Sequence, residues 1–336
     1  MKIFFYFYIL IFFNSKSKNK YLKKLKMLKN EFPSEHLGNI TSIKYNNNSN
    51  RLAISGNDGK ITIFSYDENQ KQINKNPDTI ILKNSHYNSI NDIAWSHPKF
   101  GNYLASCGND NNIIIWKEKS KNDFEKIISF SNHKDKITSI EFAPYDYGLI
   151  LLCSSLDGTI SIYIFKKETN NWIDSIIKTE HNNVNFISWG PSNFPINLEN
   201  AFDDDYDNNN ENLYQMKFVS CGDNTVFVWK SENNLINDFE YDLIYRSDFE
   251  VKFVSWMKFV IYSYNIIAVG CENGDVVILK EYDNKWLNTF IIQTNGIIYS
   301  LNWSKFGNYL CVNSDMKNKY YQENLDDKFE EIQIRK

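Results

Sequence analysis

No apolar run in this 336-residue chain is long enough to cross a bilayer as a helix. The longest, Ile3 to Phe13, has eleven residues, against the roughly 20 that a span requires. That run has the length of a signal h-region, but no small-x-small cleavage site follows it, and Asn14 to Lys29 is basic. Positive charge is not in surplus either: 37 Lys and Arg face 41 Asp and Glu, for a net charge of -4. No basic stripe follows the apolar runs, which argues against nucleic acid as a direct partner. Cysteine and histidine are scarce, five of each, and no CxxC pair is present to open a zinc site.

What is abundant is aromatic and β-branched residue in short alternating runs, with 24 Phe, 21 Tyr and 8 Trp. The stretch His86 to Glu118 holds one unit in full. It contains an alternating run closed by Trp95, a loop with His97-Pro98, a second run from Tyr103 to Cys107, an Asn/Asp turn at Asn109 to Asn112, and Ile113 to Trp116. Period-two runs broken by Gly, Pro, Asn and Asp predict antiparallel strands joined by tight turns. The aromatic closing the first run recurs at Tyr45, Trp95, Phe142, Trp189, Trp256 and Trp303, at intervals of 50, 47, 47, 67 and 47 residues. The long interval holds an Asn/Asp-rich insert, Leu198 to Asn212, whose removal restores the period. Repeats of this length, with a third strand ending in Trp116 followed by charge, resemble WD repeats, the blades of a β-propeller.

The expected fold is therefore all-β, a six-bladed WD-repeat propeller over residues 33–325 carrying the acidic insert. Residues 1–32 read as an extension outside the blades, with Met27 as a candidate start. Their Phe, Ile, Tyr, Asn and Lys content is what an upstream reading frame yields in an A/T-rich genome. After Val312 the pattern decays, so residues 326–336 are expected to form a polar tail.

Two motif resemblances fail on spacing. Gly56 to Thr62 has two residues between its glycines where a phosphate loop needs four, and Gly59 suits a tight turn instead. Asp203, Asp205 and Asp207 have the spacing that opens an EF-hand loop, but Asn208 and Tyr214 occupy the positions of its Gly and its bidentate Glu. No cofactor or metal is expected.

Four histidines, His36, His86, His133 and His181, hold the same slot before a blade's first strand. Asp58, Asp110, Asp157 and Asp223 follow them at 22, 24, 24 and, across the insert, 42 residues. One pair per blade cannot converge into an active site, so the chain reads as non-enzymatic. WD repeats use such a pair in a buried network with a Ser or Thr and the tryptophan closing the third strand, here Trp116 and Trp229. Cys107, Cys153, Cys221, Cys271 and Cys311 come once per blade in blades two to six, expected as buried fillers suited to a reducing compartment.

HPKFGNYLASCGNDNNIIIWKE (97–118), Ala143 to Ser161, Ser220 to Lys230 and Asp248 to Trp256 together resemble the Sec-thirteen family, the small WD-repeat subunit of the COPII outer coat and of the nuclear-pore Y-complex. The related nucleoporin Seh-one shares part of the pattern, whereas Tyr145 to Leu151 is closer to the coat subunit. A generic WD-repeat adaptor that reads a peptide is the other alternative. The resemblance implies an open ring completed by a blade from a longer partner, a Sec-thirty-one-type scaffold or a Y-complex nucleoporin. It also implies a place on the cytoplasmic face of the endoplasmic reticulum, on COPII vesicles and at the nuclear envelope, with membrane contact only through the coat. The expected contact residues are Ile40, Ile43, Tyr45, Ile61 and Ile63 of blade one, facing Leu301 and Trp303 of blade six.

Overall fold

The computed structural model describes residues 39–67, 72–73, 79–82, 85–192, 215–231, 238–258, 264–304, 306–315, 318–324 and 326–332. Six antiparallel sheets follow one another along the chain. Blade one comprises β1 (Ile40–Tyr45), β2 (Arg51–Gly56), β3 (Ile61–Asp67), β4 (Gln72–Ile73) and β5 (Ile80–Leu82), with β4 and β5 both paired to β3. Blade two has β6 (Ile90–Trp95), β7 (Tyr103–Gly108), β8 (Ile113–Ser120) and β9 (Asp123–Phe130). Blade three has β10 (Ile137–Phe142), β11 (Ile150–Ser155), β12 (Thr159–Lys166) and β13 (Asn171–Lys178). Blade four has β14 (Phe186–Trp189), β15 (Met216–Gly222), β16 (Thr225–Ser231) and β17 (Glu240–Arg246). Blade five has β18 (Val251–Trp256), β19 (Ile266–Cys271), β20 (Asp275–Tyr282) and β21 (Lys285–Gln293). Blade six has β22 (Ile298–Trp303), β23 (Leu310–Ser314), β24 (Asn318–Glu323) and β25 (Phe329–Ile332).

The second strand of every blade is buried along its whole length, save Lys217 in blade four. A strand covered on both faces needs side chains that tolerate burial on both parities, which explains the unbroken apolar or small runs LASC, ILLCSS and IIAVGC. The fourth strands, by contrast, alternate or are mostly exposed. The turn between second and third strands holds a left-handed residue in blades one to five: Gly59, Asn111, Gly158, Asp223 and Gly274. Gly, Asn and Asp adopt that conformation most readily.

The blades are stitched by bonds that repeat with the fold. The first strand carries a bulge at its second residue in blades one, two, three, five and six. At that position Asn91 Nδ2 donates to the carbonyl of Ile137 at 2.7 Å and Thr138 Oγ1 to that of Val184 at 2.8 Å, each in the next blade. Asn185 Nδ2 does the same to Val251 at 2.9 Å. At the other end of the first strand, the closing tryptophans reach back. Trp95 Nε1 donates to the carbonyl of Lys44, Trp189 Nε1 to that of Glu141 and Trp303 Nε1 to that of Ser255.

Residues 326–336, expected as a tail, contribute Phe329–Ile332 as the outer strand of blade six. The signal is thin because only Tyr321 and Phe329 of the last two strands are buried; the remaining positions are partly or fully exposed and polar enough to read as tail. The expected extension at residues 1–32, His36 and the insert at 198–212, including Asp203, Asp205 and Asp207, lie outside the described residues.

Candidate partner interface

Within the blades, polar side chains settle geometry rather than chemistry. His86 Nδ1 lies 2.9 Å from Asp110 Oδ1, and its Nε2 lies 2.9 Å from Ser106 Oγ. A nitrogen facing a carboxylate carries the ring proton, so Nε2 accepts from the serine hydroxyl. Asp110 also accepts from the amides of Tyr87 and Asn112. Burial alone pushes its pKa up, but the bonds from His86 and these amides outweigh it and hold the carboxyl below its ordinary value. Blade three repeats this with His133, Asp157 at 3.1 Å and Ser161 at 2.7 Å, the hydroxyl now coming from the third strand. Burial lowers the His133 pKa.

Blade four holds the longest relay. Trp229 Nε1 donates to Ser220 Oγ at 2.8 Å, Ser220 lies 3.0 Å from His181 Nε2, and Thr225 Oγ1 lies 3.0 Å from His181 Nδ1. Asp223 accepts instead from the amide of Asn182 at 2.7 Å and acts on His181 only through its charge. Burial depresses the His181 pKa to about 4. Asp58 of blade one accepts from the amide of Lys60 at 3.3 Å. Trp116 departs from the expected network, because its buried Nε1 has no hydrogen-bond partner. Ser106 is engaged by His86, and the Trp116 indole is held by apolar packing against Ile61, Ile63 and Leu82.

The five cysteines are free and buried, each on a second strand, and burial raises their pKa values. A thiol kept protonated in an apolar cluster is a filler and a poor nucleophile. Among the described residues no group of three or more His, Cys, Asp or Glu could hold a metal ion, and no helix is long and apolar enough to cross a membrane. A cavity of about 540 Å³ lies among the first strands, with Lys44, Asp92, Glu141 and Lys258 in its lining. These charges are matched: Lys258 Nζ lies 2.9 Å from Glu141 and also donates to Ser188 Oγ and the Trp189 carbonyl, while Lys44 lies 3.9 Å from Asp92. The cavity charges thus tie blades three, four and five together and present no nucleophile beside a base.

The feature that distinguishes the ends of the ring is packing. Apolar clusters join blades one and two, two and three, three and four, four and five, and five and six. A sixth cluster, Leu52, Ile54 and Phe64 with Ile40, Ile43 and Tyr45 against it, draws only on blade one among the described residues. First strands touch in series from β1 through β6, β10, β14 and β18 to β22, without a comparable contact from β22 back to β1. Among the described residues the ring is open between blades six and one.

Strand parity decides which expected contact residues face that opening. Ile40, Ile43 and Tyr45 lie on that side and are half-buried; Leu52, Ile54 and Phe64, which the sequence reading omitted, share their cluster but are buried. Ile61 and Ile63 do not; on β3 they share a face with Ala53 and are buried against Ile90, Ile93 and Trp95 of blade two. Leu301 and Trp303 are likewise turned inward, packed with Ala268 and Ile278 of blade five. Along β23 and β24 the register leaves Cys311, Asn313 and Tyr320 on the opposite face of blade six. The missing signal was alternation within the second strand. LAIS carries apolar residues on both parities, and only the partner strands show which parity meets which neighbour.

Comparison with known proteins agrees with this architecture. The model of the WD domain, G-beta repeat, matches residues 27–65, 79–117 and 124–163. The chain is 32% identical over 264 residues to the Protein SEC13 homolog of Drosophila melanogaster, covering 78% of this chain and 70% of that protein. It is 28% identical over 297 residues to the Protein transport protein sec13 of Aspergillus fumigatus, covering 84% of this chain and 91% of that one. The Protein transport protein SEC13-2 of Candida glabrata is 28% identical over 307 residues, 88% and 97% of the two chains. Among solved structures, that of U3-55K superposes with a TM-score of 0.61 at 14% identity, over 89% of this chain and 82% of that one, a likeness of fold alone.

Proposed function

This chain belongs to the SEC13 family, and on that footing we propose that it is a non-enzymatic scaffold subunit of protein transport whose open ring is completed by a longer partner chain. The observation that carries the reading is the sixth apolar cluster, present on blade one and matched by no other blade among the described residues. A propeller blade is stable when covered on both faces, and the half-buried Ile40, Ile43 and Tyr45 are the part of this end layer that a partner can still cover. A donated blade of extended segments suits it, because strands supply both the apolar side chains and the backbone groups that an open edge can pair with. The partner is a long coat scaffold of the Sec-thirty-one type in a vesicle coat, or a Y-complex nucleoporin at the nuclear pore. The subunit then works at the cytoplasmic face of the endoplasmic reticulum and at the nuclear envelope, reaching membranes only through its assemblies.

The test is affinity purification of the tagged chain from its native cell, followed by co-expression with the segment of the long chain that co-purifies. The chain expressed alone self-associates, and the donated segment renders it monodisperse. Ile43→Asp, on the open face, abolishes co-purification, whereas Ile127→Asp, at an exposed position of blade two, leaves it intact. A monodisperse, thermally robust chain that captures no long partner would overturn the reading.

A further inference from the structure

An end blade in an open ring shares an apolar layer with one neighbouring blade instead of two, so its orientation depends on a single inter-blade interface. Among the described residues, both such interfaces hold a cation ion-paired to the third-strand glutamate of the next blade, which the inner interfaces do not. In blade two, Glu118 lies two residues beyond Trp116, near the end of the third strand, and Asn122 takes a left-handed conformation (φ 68°) in the turn that follows. Arg51 of blade one reaches across to both: its guanidinium pairs with Glu118 and donates to Asn122 Oδ1 at 2.9 Å. The Arg51 and Glu118 side chains are only 9% and 7% exposed. Blade six repeats the receptor. Glu323 lies two residues beyond Tyr321, and Asp327, four residues later, is again left-handed (φ 60°). Here Lys280 of blade five pairs with Glu323 and lies 3.1 Å from Asp327 Oδ1, with its ammonium 5.0 Å from the Tyr264 ring. The Lys280 side chain is fully buried.

The two cations come from different strands. Arg51 begins β2 and is paired across the ladder with Ser65, while Lys280 lies on β20 and is paired with Ile266, which begins β19. Equivalent rungs of blades one and five therefore carry a cation on opposite members, and both deliver it to the same receptor. The position of Glu118 and Glu323 is Phe165 in blade three and Ser231 in blade four, neither of which is charged. In blade five it is Glu281, which is held by Asn265 of its own blade at 2.6 Å and attracts Lys217 of blade four, the counterpart of Arg51, without forming an ion pair with it. The inter-blade ion pairs elsewhere, Lys44 with Asp92 and Lys258 with Glu141, line the central cavity.

We propose that these two clasps, the buried pair of Arg51 with Glu118 backed by Asn122, and the buried pair of Lys280 with Glu323 backed by the exposed Asp327, lock the end blades to their inner neighbours and so fix both walls of the opening. A buried ion pair adds little net stability over an apolar contact, but it is directional, and losing one partner leaves a desolvated charge behind. Such a contact sets orientation, which is what an end blade lacks when one of its faces has no neighbouring blade.

Hydrogen–deuterium exchange on the full chain, in the assembly in which it purifies, tests this blade by blade. Lys280→Met speeds amide exchange in residues 298–332 about tenfold or more while blades two to four keep wild-type rates, and Arg51→Met does the same for residues 40–82. Lys230→Met, at the rung of blade four equivalent to Lys280, changes nothing outside its own strand pair. Lys280→Met combined with Glu323→Leu, which removes both charges, recovers most of the lost protection. Should Lys280→Met fail to fold, Glu323→Gln keeps the shape without the charge and is read in the same way. Wild-type exchange in blade six of either variant, or acceleration spread evenly over all six blades, overturns the proposal. Variants and wild type are compared in the same assembly and only exchange within this chain is scored, so the result stands or falls apart from the donated-blade reading.

Discussion

Single side chains divide this protein's polar groups into those that titrate against the fold and those that only pack. His181 is the clearest of the first kind. Its native pKa of about 4 lies below its ordinary 6.5, so the unfolded chain binds a proton that the folded chain refuses. Stability from this group is complete above pH 6.5, falls as the pH drops, and levels off near 4. Between pH 7.5 and 5 the linkage amounts to about 2 kcal/mol. Urea unfolding at the two pH values should therefore show wild type losing about that much more than His181→Gln, which is less stable at pH 7.5 but flatter; equal slopes would sink the assignment. Trp229 and Trp116 make a second comparison. Both indoles are buried, but only Trp229 donates to a serine. Trp229→Phe should cost about 1 kcal/mol more than Trp116→Phe in the same assay, the net worth of one hydrogen bond.

At the scale of the strand, backbone proximity sets limits that the side chains do not reveal. Gly222 ends β15, and a Cβ there meets the carbonyl oxygen of Asn183 at 1.8 Å. Gly190 is less tightly placed, its nearest neighbour being the Lys217 carbonyl at 3.1 Å. Gly222→Ala must push the start of blade four away from its second strand and should cost about 3 kcal/mol, clearly more than Gly190→Ala. Chemical denaturation of the two variants checks the order, and a reversed order would remove the close approach as the reason for glycine. The bulged first strands follow the same logic. Each bulge frees one side chain from the ladder, and Asn91 and Thr138 use that freedom to bond the next blade.

For the molecule as a whole, six sheets generate five shared apolar layers and one layer left to blade one. The inner blades are each held by two layers, the end blades by one. That difference places the weakest links of the ring beside the opening, where the Arg51 and Lys280 clasps lie.

The repeat was legible from the chain because its determinants are local. The closing aromatics at near-constant spacing, the left-handed Gly, Asn or Asp in the turns of blades one to five and the His and Asp slots all follow from strand period and turn chemistry within one blade. Blade six was legible only in its inner half, since β24 and β25 bury Tyr321 and Phe329 amid polar residues. What tertiary structure alone decided is everything that passes between blades. Ile61 and Ile63 share their strand with residues of the other parity, and their burial against blade two depends on which face that neighbour covers. The same holds for Leu301 and Trp303 against blade five. Arg51 and Glu118 lie 67 residues apart, and Lys280 and Asp327 47. Neither pair has a pattern in the sequence, because a blade's period specifies its own strands, whereas the contact across blades arises only when sheets stack around a common axis.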